Sequence, residues 1–267
     1  MSRDPVDGGA ASNGPVAVVT GAASGIGRAT ATALAVRGHR VALLDRDGPG
    51  ASALARALTD QGTDARAYVC DVTDTADVEA AVSDVGRRWG RIDAVAACAG
   101  IEVLGDVASL SDQAWNRALD VNAGGVLRLA RATVPFLVET RGAFVAVASD
   151  AGVTGAQGYA AYAASKHAVV GLVRCMALDH GPAGVRSNVV CPAFVETPMA
   201  ERIFADSDPG ERDFYRRAVP LGRFARPEEV ASAIVHLLSA EASYSNGMVY
   251  RVDGGSTAGY YVGNAAG

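Results

Sequence analysis

Thr20-Gly21-Ala22-Ala23-Ser24-Gly25-Ile26-Gly27 comes directly after the β-branched run Val16–Thr20 and opens an alanine-rich, helix-like segment over 26–37. Glycine lets the backbone turn sharply and approach a ligand closely, and a helix N-terminus offers unpaired N–H groups and a positive dipole end. Together they make a seat for phosphate. Asp45 closes the following run, Arg40–Leu44, at about the 20-residue offset where a dinucleotide fold places an acid on the adenosine ribose. A carboxylate there accepts hydrogen bonds from the ribose hydroxyls and repels a 2′-phosphate, which favours NAD and makes NADP the weaker expectation. Arg46 beside it pulls the other way, since a guanidinium swung inward would accommodate that phosphate.

The same alternation continues along the chain. Strand-like runs at Val16–Thr20, Arg40–Leu44, Ala65–Cys70, Ile92–Ala97, Ala143–Ser149, Val185–Cys191 and Met248–Val252 are separated by amphipathic stretches near 26–37, 48–61, 74–89, 111–138, 160–180 and 227–239. Strands that alternate with helices imply βαβ crossovers and a parallel sheet covered on both faces. Runs such as Val16-Ala17-Val18-Val19 are apolar on both faces, as a doubly covered sheet requires. The expected fold is therefore α/β: one Rossmann-type, doubly wound parallel sheet of about seven strands. The expected domain spans 15–255, with a disordered N-terminal tail over 1–14 and a C-terminal tail over 256–267. Within it, residues 193–226 are long, charged and interrupted by prolines and an Asp208-Pro209-Gly210 turn signal. A connection of that length reads as a substrate lid.

Composition removes several function classes. With 49% hydrophobic and 20% charged residues the chain has the makings of an ordinary globular core. A net charge of −5 argues against a nucleic-acid partner, which needs a concentrated basic face. No apolar run is long enough for a membrane span, and the polar start MSRDPVDGGAASNG has no signal-peptide core, so a cytoplasmic location is expected. Cys70, Cys98, Cys175 and Cys191 form no CxxC pattern, and His39, His167, His180 and His236 have no ligand spacing, so no metal site is expected.

Tyr159-Ala-Ala-Tyr162-Ala-Ala-Ser-Lys166 raises the question of catalysis. Tyr162 and Lys166 stand at i, i+4, so on a helix they share one face a single turn apart. A phenol of ordinary pKa near 10 is a poor base at neutral pH, and a fixed ammonium nearby favours its ionised form. Tyr159 lies two turns from the lysine and is expected as pocket wall or helix entry.

The spacing Gly21-x-x-x-Gly25-x-Gly27 departs from G-x-G-x-x-G and resembles the classical short-chain dehydrogenase/reductase family, and the likeness runs from about Pro15 to Gly255. The resemblance implies a catalytic set of Asn122, Ser149, Tyr162 and Lys166. In it Tyr162 is general acid/base, Lys166 lowers its pKa and holds the nicotinamide ribose, Ser149 positions the substrate oxygen, and Asn122 holds a relay water. It also implies cofactor contacts from Thr20, Gly21, Ser24, Gly25, Ile26, Gly27, Asp45, Arg46, Asp71, Val72, Ala99, Gly100, Pro192, Val195 and Thr197. The family's Asn-Asn-Ala-Gly is here Ala97-Cys98-Ala99-Gly100, and its Pro-Gly is Pro192-Ala193. The first change is expected to loosen the cofactor wall, and the second removes a residue at ease with positive φ.

The leading expectation is an NAD-dependent dehydrogenase of small-molecule secondary alcohols and ketones. Alternatives are an NADPH-dependent ketoreductase of acyl or polyketide-type ketones, and a catalytically weak dinucleotide-binding scaffold or sensor. Glu102, Asp150, Gln157 and Tyr159 are expected to read the substrate. The lid arginines Arg202, Arg212, Arg216 and Arg217 are read as an exposed helix face before an anion site. Helices near 111–138 and 160–180 are apolar on more than one face, and relatives pair through them, so a homotetramer or homodimer is expected.

Overall fold

The computed structural model describes residues 14–205 and 208–261. Expectations for residues 1–13 of the N-terminal tail and 262–267 of the C-terminal tail lie outside the described residues.

Seven parallel strands form one sheet in the order β3-β2-β1-β4-β5-β6-β7. They are β1 (Val16–Thr20), β2 (Arg40–Asp45), β3 (Ala65–Val69), β4 (Ala94–Ala97), β5 (Ala143–Val147), β6 (Arg186–Pro192) and β7 (Val249–Val252). In register, Val18 lies beside Ala42 on one side and Val95 on the other. Side chains alternate across the pleat, so neighbouring residues of β1 enter different cores. Val16 and Val18 pack with Val78 and Val85 of α3 (Thr75–Trp89), Leu129 of α5 (Gly125–Thr140) and Val169 and Val173 of α6 (Ala160–His180). Ala17 and Val19 pack with Leu34 of α1 (Gly25–Val36), Leu54 of α2 (Gly48–Asp60) and Ile234 of α9 (Pro227–Leu238). Two apolar layers thus sandwich the sheet, as the doubly apolar strands anticipated.

The strand order reverses between β1 and β4, and ligands of such sheets bind outside the carboxyl ends of the strands at that point. Helix starts are set locally. Asp47 caps α2 by accepting from Gly50 N, Asp74 caps α3, and Ser111 caps α4 (Asp112–Leu119). At the start of β6 Arg186 donates to the carbonyls of Leu237, Leu238 and Ser239 at the open C-terminus of α9, and to that of Ala242 in the turn that follows.

Two expectations change. The stretch near 111–138 is not one regular helix: α4 passes through a π-helical turn, Asp120–Gly124, before α5. There Arg128 bonds the Asp120 carboxylate at 2.6 Å and the carbonyls of Asp120 and Val72 at 3.3 Å each. The turn also carries Asn122 inward. The lid contains two helices, α7 (Pro198–Ala205) and α8 (Pro209–Ala218), and Asp208-Pro209-Gly210 starts the second, with Asp208 accepting from Gly210 N. Proline suits the first turn of a helix, where its missing N–H costs nothing.

Candidate active site

At the switch point a cleft of about 290 Å³ is lined by Gly21, Ser24, Gly25, Ile26, Gly27, Asp45, Arg46, Asp71, Val72, Ala99, Gly100 and Thr197. Ser24 is extended and makes no side-chain cap to α1, so the first-turn N–H groups keep their capacity for an anion. Gly27 admits no side chain, because a Cβ there would lie 2.1 Å from the Gly21 carbonyl oxygen. The Asp45 carboxylate is pinned at the rim by Ala23 N and Asp47 N, each at 2.9 Å. Asp71 accepts from Thr73 N and Thr73 Oγ1, which hold its carboxyl below the ordinary range. This donor set fits the diphosphate and ribose of a dinucleotide.

Thr20 serves that cleft indirectly. Its buried hydroxyl accepts from Cys98 N at 3.2 Å and Ala99 N at 3.3 Å, tying β1 to the loop after β4. That tie braces the wall expected to loosen where the family's two asparagines are Ala97 and Cys98. Ala193 needs no left-handed backbone: among the described residues Arg141 is the single non-glycine residue at positive φ. Pro192 and Val195 line the adjoining cavity, and Thr197 lines both.

That second cavity, about 420 Å³, brings together Glu102, Ser149, Asp150, Gln157, Tyr159, Tyr162 and Lys166. Ser149 follows β5, while Tyr162 and Lys166 stand one turn apart on α6. The Lys166 Nζ lies 5.6 Å from the centre of the Tyr162 ring and donates to Val147 O at 3.0 Å. Lys166 is 4% exposed, and burial pulls its pKa down to about 8. Gly100 makes room for the group: a Cβ there would stand 3.1 Å from Asn122 Oδ1 and 3.3 Å from Lys166 Nζ.

Asn122 is fully buried and joins two elements. Its Oδ1 accepts from Ile101 N at 2.8 Å, and its Nδ2 donates to Ile101 O at 3.0 Å and Ser165 Oγ at 2.9 Å. Both amide protons are committed to this clamp, so a relay water would have only acceptor capacity to use at Asn122.

Tyr162 departs from the electrostatic expectation. In the ligand-free chain burial pushes its phenol above the ordinary value; the Ser149 hydroxyl acts downward, and Asp150, Glu102 and Tyr159 add to the rise. The expected lowering of the phenol pKa is therefore not what this arrangement gives: burial is the largest influence, and it acts upward. Tyr159 is the residue before α6; its ring meets that of Tyr162 edge-on at 6.0 Å, and burial pushes its pKa up to about 12.

The lid, expected over the substrate, gives this cavity its apolar side through Phe194, Met199, Ile203, Phe214 and Tyr215, none of which sequence reasoning singled out. Its signal was the i, i+4 pair Met199 and Ile203. Ser256 also lines the cavity, so the segment expected to begin a tail starts at the site. Ile101, next to Glu102 in sequence, lines the glycine-rich cleft and not this cavity. Of the lid arginines, Arg202 pairs with Glu102 at 3.3 Å, Arg212 with Glu201 and Arg216 with Asp213.

Residues 21–257 match the family model described as Enoyl-(Acyl carrier protein) reductase. D-threitol dehydrogenase of Mycolicibacterium smegmatis is 39% identical over 246 residues, covering 92% of this chain and 94% of that protein. Meso-2,3-butanediol dehydrogenase of Serratia marcescens is 41% identical over 244 residues, covering 91% and 94%. The crystal structure of an actinorhodin polyketide ketoreductase variant with NADPH superposes with a TM-score of 0.87 at 33% identity, covering 92% of this chain and 98% of that one.

Proposed function

The chain belongs to the short-chain dehydrogenase/reductase family of oxidoreductases acting on alcohols and ketones, and on that premise we propose that it moves hydride between NAD(H) and a small secondary alcohol or ketone, with Tyr162 as general acid/base. The observation that carries this reading is the meeting of Ser149, Tyr162 and Lys166 in one cavity that shares Cys98, Gly100 and Thr197 with the glycine-lined cleft. NAD(H), held by α1's N-terminus, Asp45, Asp71 and Thr197, supplies or accepts the hydride when bound.

This chain's own residues handle the proton. In reduction, the Tyr162 hydroxyl, protonated at rest, donates to the ketone oxygen; in oxidation it receives the alcohol proton. Lys166, one turn from Tyr162 and with a pKa of about 8, supplies the ammonium that stabilises phenolate and the proton that restores the hydroxyl. Ser149 holds the substrate oxygen beside Tyr162, while Asn122 keeps α6 and the loop after β4 in register and offers its remaining lone pair to water. Met199, Ile203 and Phe214 give the cavity an apolar wall. Glu102 and Asp150 place acidic groups in the cavity, which suits an uncharged hydroxylated substrate better than a carboxylate or phosphate.

NAD is favoured because the Asp45 carboxylate is fixed at the ribose end. The NADPH-ketoreductase alternative draws on exposed Arg46 lining the same cleft and on the NADPH-bound relative. Turnover should be measured with NADH and NADPH on threitol and erythrulose, 2,3-butanediol and acetoin, and ethyl acetoacetate with its alcohol. Turnover of none of them favours a scaffold or sensor. A homotetramer or homodimer is supported by the exposed Trp115, Leu127, Val138 and Leu178 on α4, α5 and α6, and by Met248 and Tyr250 beside the β7 edge. Sedimentation as a monomer at micromolar concentration rules it out. Among the described residues no helix is long and apolar enough to cross a membrane. A cytoplasmic setting is part of the same proposal.

A further inference from the structure

Asp150 follows Ser149 and shares its cavity. The Ser149 hydroxyl lies 2.8 Å from Asp150 Oδ1, and Ala151 N donates to both that carboxylate oxygen, at 2.8 Å, and Ser149 Oγ, at 3.2 Å. An ionised carboxylate only accepts hydrogen bonds, and a serine hydroxyl has one proton to give. The contact with Asp150 therefore consumes the proton that Ser149 would offer to a substrate.

We propose that Asp150 is a positioning residue that sets the polarity of the Ser149 hydrogen bond, its charged form preparing the pocket for an alcohol and its protonated form for a ketone. The inference rests on the alcohol/ketone reading above. A ketone oxygen carries lone pairs and no proton. With Asp150 ionised it meets one donor, Tyr162, and an acceptor-only Ser149. An alcohol has an O–H to give: while Tyr162 is protonated, Ser149 Oγ receives it and holds the alcohol, and for oxidation the same O–H turns to the ionised Tyr162 oxygen. Once Asp150 is protonated, its own O–H donates to Ser149 Oγ, and the serine proton turns to the ketone.

The surroundings place this change within reach. Burial lifts the Asp150 carboxyl above the ordinary carboxylate range, against the downward pull of Ser149 and Ala151 N. The titratable groups that share its cavity or act on it are Tyr159 before α6, Tyr162 and Lys166 of α6, Glu102 after β4, Cys191 of β6 and Asp253 after β7; Lys166 is the cation among them, and its Nζ donates to Val147 O. The overall equilibrium between alcohol and ketone is untouched by any residue. The effect resides in the affinity for each and in a proton taken up as ketone binds.

Two measurements test the polarity. In the ligand-free protein, the 13Cγ resonance of Asp150, assigned by its absence in Asp150→Asn, is followed through a pH titration. Ser149→Ala should raise the Asp150 midpoint by about half a unit or more, because a hydrogen bond to the charged form is gone; an unchanged midpoint overturns the proposal. With acetoin and erythrulose, wild-type KM should rise about threefold or more as pH climbs through the Asp150 midpoint found in that titration, while KM for 2,3-butanediol and threitol falls. Asp150→Asn and Asp150→Ala should both flatten these profiles, with ketone KM above that midpoint near the wild-type value below it. Profiles identical to wild type in both variants overturn it. Absence of turnover with every pair refutes the alcohol/ketone reading instead, and the ligand-free titration then decides the Asp150–Ser149 polarity on its own.

Discussion

Replacing Lys166 by methionine should make the cofactor-free protein more stable at neutral pH while removing its turnover. Burial lowers the lysine pKa from 10.5 to about 8, which at about 1.36 kcal/mol per unit is roughly 3 kcal/mol held against the folded state. Methionine fills the space without a charge, but it orphans the Val147 carbonyl that Lys166 now bonds, returning about 1–2 kcal/mol of that. The net gain at pH 7 is about 1–2 kcal/mol, or a Tm rise of roughly 2–6 °C for a domain of this size. The sign reverses with pH. Below about pH 8 both folded and unfolded chains carry the ammonium, and the folded one bears the full penalty. Between about 8 and 10.5 the folded chain has shed a proton that the unfolded chain keeps, so wild-type stability rises with pH. At pH 9.5 the advantage of Lys166→Met should therefore have vanished or turned into a deficit. Urea denaturation of both proteins at pH 7 and pH 9.5, without cofactor, reads this directly. A stability difference that is the same at both pH values refutes the argument that Lys166 is a buried charge retained for function.

Other perturbations separate the cofactor site from the scaffold. Asp45→Ser removes the fixed carboxylate but keeps Arg46, and should narrow the NADH-over-NADPH preference about tenfold or more in a fluorescence titration, with Tm nearly unchanged. Arg186→Ala strips four carbonyls of their donor at the end of α9 and should cost about 2–4 kcal/mol, seen as a lower urea midpoint. Arg202→Ala breaks an exposed pair with Glu102, worth about 0–1 kcal/mol, and should move substrate KM more than Tm.

The sheet was legible because its evidence is periodic. β-branched runs separated by amphipathic stretches implied seven parallel strands, and the glycine turn after Val16–Thr20 located the ligand end of the sheet. Residue spacing also singled out Tyr162 and Lys166, since one helical turn sets their distance whatever surrounds them. What stayed hidden depended on tertiary context. The π-helical turn at Asp120–Gly124 is a single local insertion between two helical stretches, and no residue type in Asp-Val-Asn-Ala-Gly marks where it falls. Asp208-Pro209-Gly210 has the composition of a turn and of a helix start alike. Burial dictates the upward shift of Tyr162, and burial follows from which lid residues cover the cavity. Asp150 was visible as a polar pocket residue, but its hold on the Ser149 proton required coordinates.

The central claim is that the Tyr162 hydroxyl carries the proton of an alcohol/ketone interconversion. Tyr162→Phe keeps the ring that packs against Tyr159 and removes only that hydroxyl. Single-turnover kinetics with NADH and acetoin or erythrulose, beside a cofactor titration of the same variant, should show a dissociation constant within about twofold of wild type. Hydride transfer should be slowed by about three orders of magnitude or more, roughly 4 kcal/mol of transition-state stabilisation. Hydride transfer at the wild-type rate in Tyr162→Phe would contradict the account.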